Sequence, residues 1–212
     1  MKTLVYMIRH GESLGNRYKQ FIGQHDVGLT EKGFSQADAA GAYISRCGLA
    51  FDAVYASPLS RAYDTAKHAT GVTPIPCDDL REIRAGEWEG LTFAEIALRY
   101  PDDVSVWNND IGLSRPTGGE SVAELSERVL AAVRRIAAEN EGRTVFIGSH
   151  ATPIRMVETC ARLLPASRAQ LVPFPTNASL SAYLVEGDEI LPLFYSLDSY
   201  LGDLVTAFPK KL

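Results

Sequence analysis

The stretch YMIRHGESLGN, Tyr6 to Asn16, sets the problem of the fold. It follows and completes an apolar run, Thr3-Leu-Val-Tyr-Met-Ile8, which reads as a buried strand. That run ends in Arg9-His10, although a core strand gains nothing from a cation and an imidazole. In open α/β sheets, however, ligands bind beyond the carboxyl ends of the strands. Polar groups that would be wasteful in a core are useful at that edge.

Working outward, strand-like and helix-like runs alternate. Thr30 is a natural N-cap for a helix running to about Cys47, with Gly48 as its stop. Ala53-Val-Tyr-Ala56 reads as a short strand, and Ser57-Pro58 as the cap and start of a helix to about Thr70. Thr92-Phe-Ala-Glu95 and Ser121-Val-Ala-Glu124 are capping-box patterns. The first predicts a short helix ending near Tyr100-Pro101, the second a long one to about Asn140. Arg143 to Gly148 is another buried strand, followed by a helix from about Thr152 to Leu164. Leu180–Val185 and Glu189–Tyr195 read as two strands around the turn Glu186-Gly187-Asp188, a candidate antiparallel element. The expected fold is a three-layer α/β domain, with a mostly parallel central sheet and helices on both faces.

Composition agrees with one such domain. Of 212 residues, 46% are apolar, enough for a full core without staples. The formal net charge of −5 argues against general nucleic-acid binding. No apolar run approaches the roughly 18 residues that suggest a membrane span, and the start of the chain does not read as a signal peptide. Cys47, Cys77 and Cys160 form no disulfide or zinc spacing and read as reduced and mostly buried, as in a cytoplasmic protein. Asn177-Ala178-Ser179 matches a glycosylation sequon, which without a secretory signal reads as chance. Lys210-Lys211 reads as a solvated tail.

Three strands end at or near a basic side chain: Arg9-His10 after the first, Arg61 one turn into the helix after the second, and His150 after the third. If they converge, they surround an anion, and phosphate fits best. Two guanidinium groups match its oxygens, helix N-termini after residues 57 and 150 add N–H groups, Gly11 permits close backbone approach, and Asn16 offers a neutral donor. His10 then has a use as a nucleophile, kept neutral by neighbouring cations. The proton donor for a leaving alkoxide is one of Glu82, Glu87 and Glu89, and residue chemistry does not choose among them. The structural alternatives are an Arg61–Asp64 surface pair and a salt bridge from Glu82 to Arg81 or Arg84.

Arg9-His10-Gly11-Glu12 resembles the RHG motif of the histidine phosphatase superfamily, the phosphoglycerate mutase-like proteins. Similar blocks follow in the family's order: Gly23-x-x-Asp26-x-x-Leu29-Thr30-x-x-Gly33-x-x-Gln36-Ala37, Ser57-Pro58-Leu59-Ser60-Arg61-Ala62-x-x-Thr65-Ala66, Glu82-x-x-x-Gly86-x-Trp88-Glu89-Gly90, Pro116-x-Gly118-Gly119-Glu120-Ser121 and Ser149-His150. The resemblance implies that His10 is phosphorylated, that Arg9, Arg61 and His150 form the phosphate pocket with Asn16 as a further contact, and that Glu82 donates the proton. It implies no metal and no cofactor. Where the family has Ser-His-Gly, this chain has Ser149-His150-Ala151, and Ala151 still offers its N–H unless a positive φ is needed.

The resemblance covers hydrolases and mutases. Mutases resemble RHGES-x-W-N and Glu-Arg-His-Tyr, whereas here the sequences are Ser13-Leu14-Gly15-Asn16 and Glu82-Ile83-Arg84-Ala85. The expected activity is therefore metal-independent hydrolysis of a small phosphorylated metabolite, with a mutase and a non-catalytic phosphate-binding protein as alternatives. A cap-like insertion at about 82–119 is expected to cover the pocket and select the leaving group; it contains Trp88, Tyr100, Trp107 and Arg115, whose aromatics either bound the substrate cavity or simply pack the short helix. Oligomeric state stays open, a homodimer included.

Overall fold

The computed structural model describes residues 1–206; the Lys210-Lys211 pair lies outside the described residues. Its centre is a six-stranded sheet in the order β3-β2-β4-β1-β5-β6. These strands are β1 (Thr3–Arg9), β2 (Ala53–Ala56), β3 (Ile75–Pro76), β4 (Thr144–Ser149), β5 (Leu180–Glu186) and β6 (Glu189–Leu197). The pairs β1–β4, β4–β2 and β2–β3 are parallel, and β5 joins β1 and β6 antiparallel, forming the expected terminal hairpin.

Strand alternation divides the core between the two faces. Val5, Met7, Val145 and Ile147 join one apolar cluster with α6 (Val122–Glu139) and α7 (Ala151–Ala161). Tyr6, Ile8, Val54 and Phe146 join a second cluster with α2 (Glu31–Arg46) and α3 (Ser60–Thr70). Both faces are covered, as a parallel sheet requires.

Caps explain most helix boundaries. Thr30 Oγ1 accepts from Gly33 N at 3.0 Å to start α2, and Gly48, at φ +65°, follows its end. Both capping boxes form, at Thr92 before α4 (Phe93–Arg99) and at Ser121 before α6. A four-residue α1 (Leu14–Arg17) follows the first strand, with Ser13 as its cap.

Three expectations are corrected. Helix α3 begins at Ser60, not at Ser57-Pro58, because Asp26 from a distant loop caps it: Asp26 Oδ1 accepts from both Ser60 N and Ser60 Oγ at 2.8 Å. Pro101 does not only end a helix. It occupies the first turn of a further one, α5 (Pro101–Asn109), where its missing N–H costs nothing. The cysteines are free but not mostly buried; Cys47 is exposed, and Cys77 and Cys160 are half-buried.

The 82–119 segment is packed into the domain. Ile83, Trp88, Ile96, Trp107 and Ile111 belong to the same cluster as one face of the sheet. Two glycines fix the approach of the first loop to α2. A Cβ on Gly11 would stand 2.4 Å from the backbone oxygen of Gly33. Gly11→Ala is therefore expected to destabilise the fold by about 1–3 kcal/mol, as overpacking does, read as a lower urea midpoint. An unchanged midpoint would mean that the loop and α2 can separate freely.

Candidate active site

The three basic strand ends converge because β2, β4 and β1 are neighbours. The ladder continues one residue past the strands: His10 N donates to Ser149 O at 3.0 Å, and Ser57 N to Gly148 O at 2.9 Å. Arg9, His10, Ser57 and His150 thus stand side by side at one edge, and Arg61 reaches it from the first turn of α3.

Backbone carbonyls aim the arginines. Arg9 Nη1 donates to Pro175 O at 2.6 Å. Arg61, 2% exposed, donates to Gly23 O at 2.7 Å and His25 O at 2.9 Å. The surface pair with Asp64 does not form. Burial lowers both guanidinium pKa values to about 10, with Glu82 opposing the shift, so both remain charged at neutral pH.

His10 Nδ1 lies 2.7 Å from Gly11 O. A carbonyl only accepts, so the proton sits on Nδ1 and Nε2 keeps a free lone pair. Burial first, then Arg61 and Arg9, hold the imidazole pKa well below its ordinary value. The His150 ring stands edge to face with it at 5.3 Å between centroids. His150 Nε2 is 2.8 Å from Ser57 Oγ, which also accepts from Leu59 N at 3.3 Å. The Ser57 hydroxyl can donate to Nε2 or accept from it, and either way it holds the ring. The buried Nδ1 has no protein partner, and His150 stands behind the cavity lining rather than in it.

Of the three candidate acids, only Glu82 lines the cavity. Its oxygens accept from Ile83 N at 2.8 Å and Thr152 N at 3.3 Å, and Arg81 pairs instead with Asp78 at 2.8 Å. Arg128 anchors its loop, donating to the carbonyls of Asp79, Arg81 and Glu82 at 2.8, 2.8 and 3.0 Å while paired with Glu120 at 2.6 Å. Glu87 accepts from Tyr100 at 2.8 Å. Glu89 is a tie between loops, accepting from Gln24 N and Ala85 N, each at 3.0 Å, with His25 at 3.2 Å. Glu12 accepts from Thr30 Oγ1 at 2.8 Å and braces the start of α2 rather than His10.

Asn16 and Ala151 also line the cavity. Asn16 Oδ1 accepts from Ser13 and Asn177, each at 3.1 Å, leaving its amide nitrogen as the free end. Ala151 is the first residue of α7 and has no positive φ, so its side chain costs nothing there. Gly11 is different from expectation. Its N–H is taken by Thr65 Oγ1 at 2.9 Å, and it packs against Gly33 rather than lining the cavity. It reaches His10 through its carbonyl, which holds the ring.

Asn177 was not foreseen. Its buried amide donates to His10 O at 3.0 Å and Gly11 O at 3.2 Å, and Ala178 N donates to Arg9 O at 3.0 Å. The supposed chance sequon thus clamps the end of β1. No local pattern signals this; only the antiparallel pairing of β5 with β1 brings it there.

Beyond the charged end, a cavity of about 570 Å³ is walled by residues 20–23, by Phe93, Trp107 and Asn108, and by Gln170, Pro173 and Phe174. Of Trp88, Tyr100, Trp107 and Arg115, only Trp107 is on this wall. Trp88 is buried in the core, Tyr100 binds Glu87, and Arg115 pairs with Glu124 at 2.7 Å. Among the described residues, no cluster of three or more His, Cys, Asp or Glu side chains is placed to hold a metal ion, and no helix is long and apolar enough to cross a membrane.

The family model of the histidine phosphatase superfamily (branch 1) matches residues 5–195. The chain belongs to the histidine phosphatase superfamily. Histidine phosphatase relatives of differing activity are similar to it. A bifunctional protein of Mycobacterium tuberculosis (strain H37Rv) is 40% identical over 73% of this chain, but the match spans only 43% of that protein's length. Phosphoserine phosphatase 1 of Hydrogenobacter thermophilus is 31% identical over 97% of this chain and 98% of its own. A 2,3-bisphosphoglycerate-dependent phosphoglycerate mutase of Rhizobium etli is 30% identical over 89% and 93%. Among solved structures, Bacillus stearothermophilus YhfR superimposes with a TM-score of 0.88 at 29% identity, over 94% of this chain and 99% of that one. The phosphoglycerate mutase-like α/β fold expected from the sequence is the one observed.

Proposed function

We propose that this histidine phosphatase hydrolyses small phosphomonoesters through a phosphohistidine on His10. The observation that carries the reading is the orientation of His10: Nδ1–H is pinned to Gly11 O, so Nε2 offers its lone pair beside Arg61 and His150. Nε2 attacks phosphorus, the bond to the ester oxygen breaks, and protonated Glu82 gives its proton to the departing alkoxide. Water then attacks phosphohistidine, Glu82 takes its proton, and phosphate leaves with His10 restored. Arg9, Arg61 and His150 stabilise charge on the transferring oxygens. The reading uses no metal, and chelator is expected to leave hydrolysis unchanged.

Hydrolysis is favoured over mutase action because Gly15 and Ala85 stand where mutases of the family have a tryptophan and a tyrosine. The test is phosphate release from a panel of phosphomonoesters and 3-phosphoglycerate, with and without 2,3-bisphosphoglycerate. Rapid release supports the phosphatase. Interconversion of 2- and 3-phosphoglycerate with little free phosphate would make the protein a mutase, and neither reaction would leave a phosphate-binding protein.

The lowered His10 pKa gives a pH prediction. The attacking imidazole stays neutral below its ordinary value of 6.5, so the acid limb of kcat/KM lies below pH 6.5. A limb above that value would contradict the assignment. The same shift affects stability. His10 and His150 titrate near 6.5 when unfolded and well below it when folded, so unfolding takes up protons between those values. Their contribution is full above about pH 6.5 and is lost as pH falls toward the folded values. Urea midpoints measured from neutral pH downward should decline through this window.

A further inference from the structure

Arg155 lies one turn along α7 from Ala151 and Thr152, and with them it lines the cavity. It is 6% exposed. Its Nε donates to Ala169 O at 3.0 Å, and its Cζ stands 4.2 Å from the centre of the Phe174 ring. These contacts use one N–H and one face of the guanidinium plane. Among the described residues no carboxylate pairs with it; the acid one turn on, Glu158, is held by Arg162 at 2.6 Å. The terminal nitrogens are the part of the group left for the cavity.

A buried guanidinium without an anion is costly. Here the charge borders the same cavity as His10, so an occupant can supply the missing partner. The planar fork of two terminal N–H groups matches an anion that presents two oxygens. Phe174, stacked beneath, and Ala169 O, gripping Nε, hold the plane in one orientation.

We propose that Arg155 is a second anion subsite, so that the substrate carries, besides the phosphoryl group taken by His10, a carboxylate or a second phosphate on its leaving group. This rests on the reading of the His10 end as the phosphoryl site. Arg155 is then a specificity residue, selecting doubly anionic metabolites over phosphate esters of neutral alcohols.

Matched substrates test it. O-phosphoserine and O-phosphoethanolamine differ only by a carboxylate, and glucose 1,6-bisphosphate and glucose 6-phosphate by a phosphate. The native enzyme is expected to favour the doubly anionic member of at least one pair by tenfold or more in kcat/KM, and the preferred pair names the anion. In Arg155→Met that preference should shrink at least tenfold, mainly through KM. Arg155→Lys, which keeps the charge and loses the fork, should fall between. Calorimetric binding of the same pairs to the His10→Ala protein gives a readout without turnover. Preference there with no hydrolysis by the native enzyme would unseat the phosphatase reading and keep the subsite. No preference in either pair, or an equal loss on both members in Arg155→Met and Arg155→Lys, would overturn the proposal and make Arg155 a packing residue.

Discussion

His10→Ala is expected to lower kcat/KM by about 10⁴-fold or more, the scale seen when a covalent nucleophile is removed. The substitution removes the only imidazole among the described residues whose Nδ1 is seen held by a backbone carbonyl, leaving Nε2 free. The His150 imidazole does not replace it, because Ser57 occupies its Nε2. The native enzyme, mixed with ³²P-labelled substrate and quenched, should carry an acid-labile, base-stable label that peptide mapping assigns to His10. The variant should carry none. A label on another residue, or hydrolysis by His10→Ala near the native rate, would remove His10 from the nucleophile's role.

The second large effect is leaving-group dependent. Glu82→Gln keeps an oxygen that can accept from Ile83 N but cannot donate a carboxyl proton. For alkyl phosphates, whose alkoxides need protonation, kcat is expected to fall about 10²–10⁴-fold, the usual worth of general acid catalysis. For p-nitrophenyl phosphate, whose phenolate departs unaided, the loss should be far smaller. Glu89→Gln supplies the contrast. Glu89 holds loop 23–26, which grips Arg61, and the backbone at Ala85. Any damage there should fall on both kinds of ester alike. An equal loss on both with Glu82→Gln would reduce Glu82 to the same positioning role.

The chemistry-bearing strand ends were legible because each follows a strongly apolar run, where a charge is conspicuous. Ala53–Ala56 was read to the residue, and the two capping boxes located α4 and α6. What stayed hidden depends on partners remote in sequence. Asp26 caps α3 from a separate loop, so Ser57-Pro58 looked like the start of a helix it only precedes. Ser57 is instead committed to His150. The edge strand β3 has two residues, one a proline, and leaves no periodic pattern. Pro101 carries the same letter whether it ends one helix or begins the next. Gly11 was rightly singled out as a point of close approach, but the approaching group is Gly33, which only the packing of α2 reveals. Among the three glutamates, residue chemistry left the choice open, and the family resemblance pointed to the one that the fold brings to the cavity.

The walls of the cavity come from chain segments that contribute no strand to the sheet: residues 20–23, the α4–α5 region and residues 170–174. The groups proposed to grip phosphate, by contrast, are rooted at the ends of β1 and β4 and in the first turn of α3. Lineages descended from one ancestor can therefore trade metabolites by editing peripheral segments while inheriting the transfer chemistry intact. Overall similarity between two such proteins then measures shared chemistry far better than shared diet, and a handful of wall positions carries the information that a whole-chain comparison averages away.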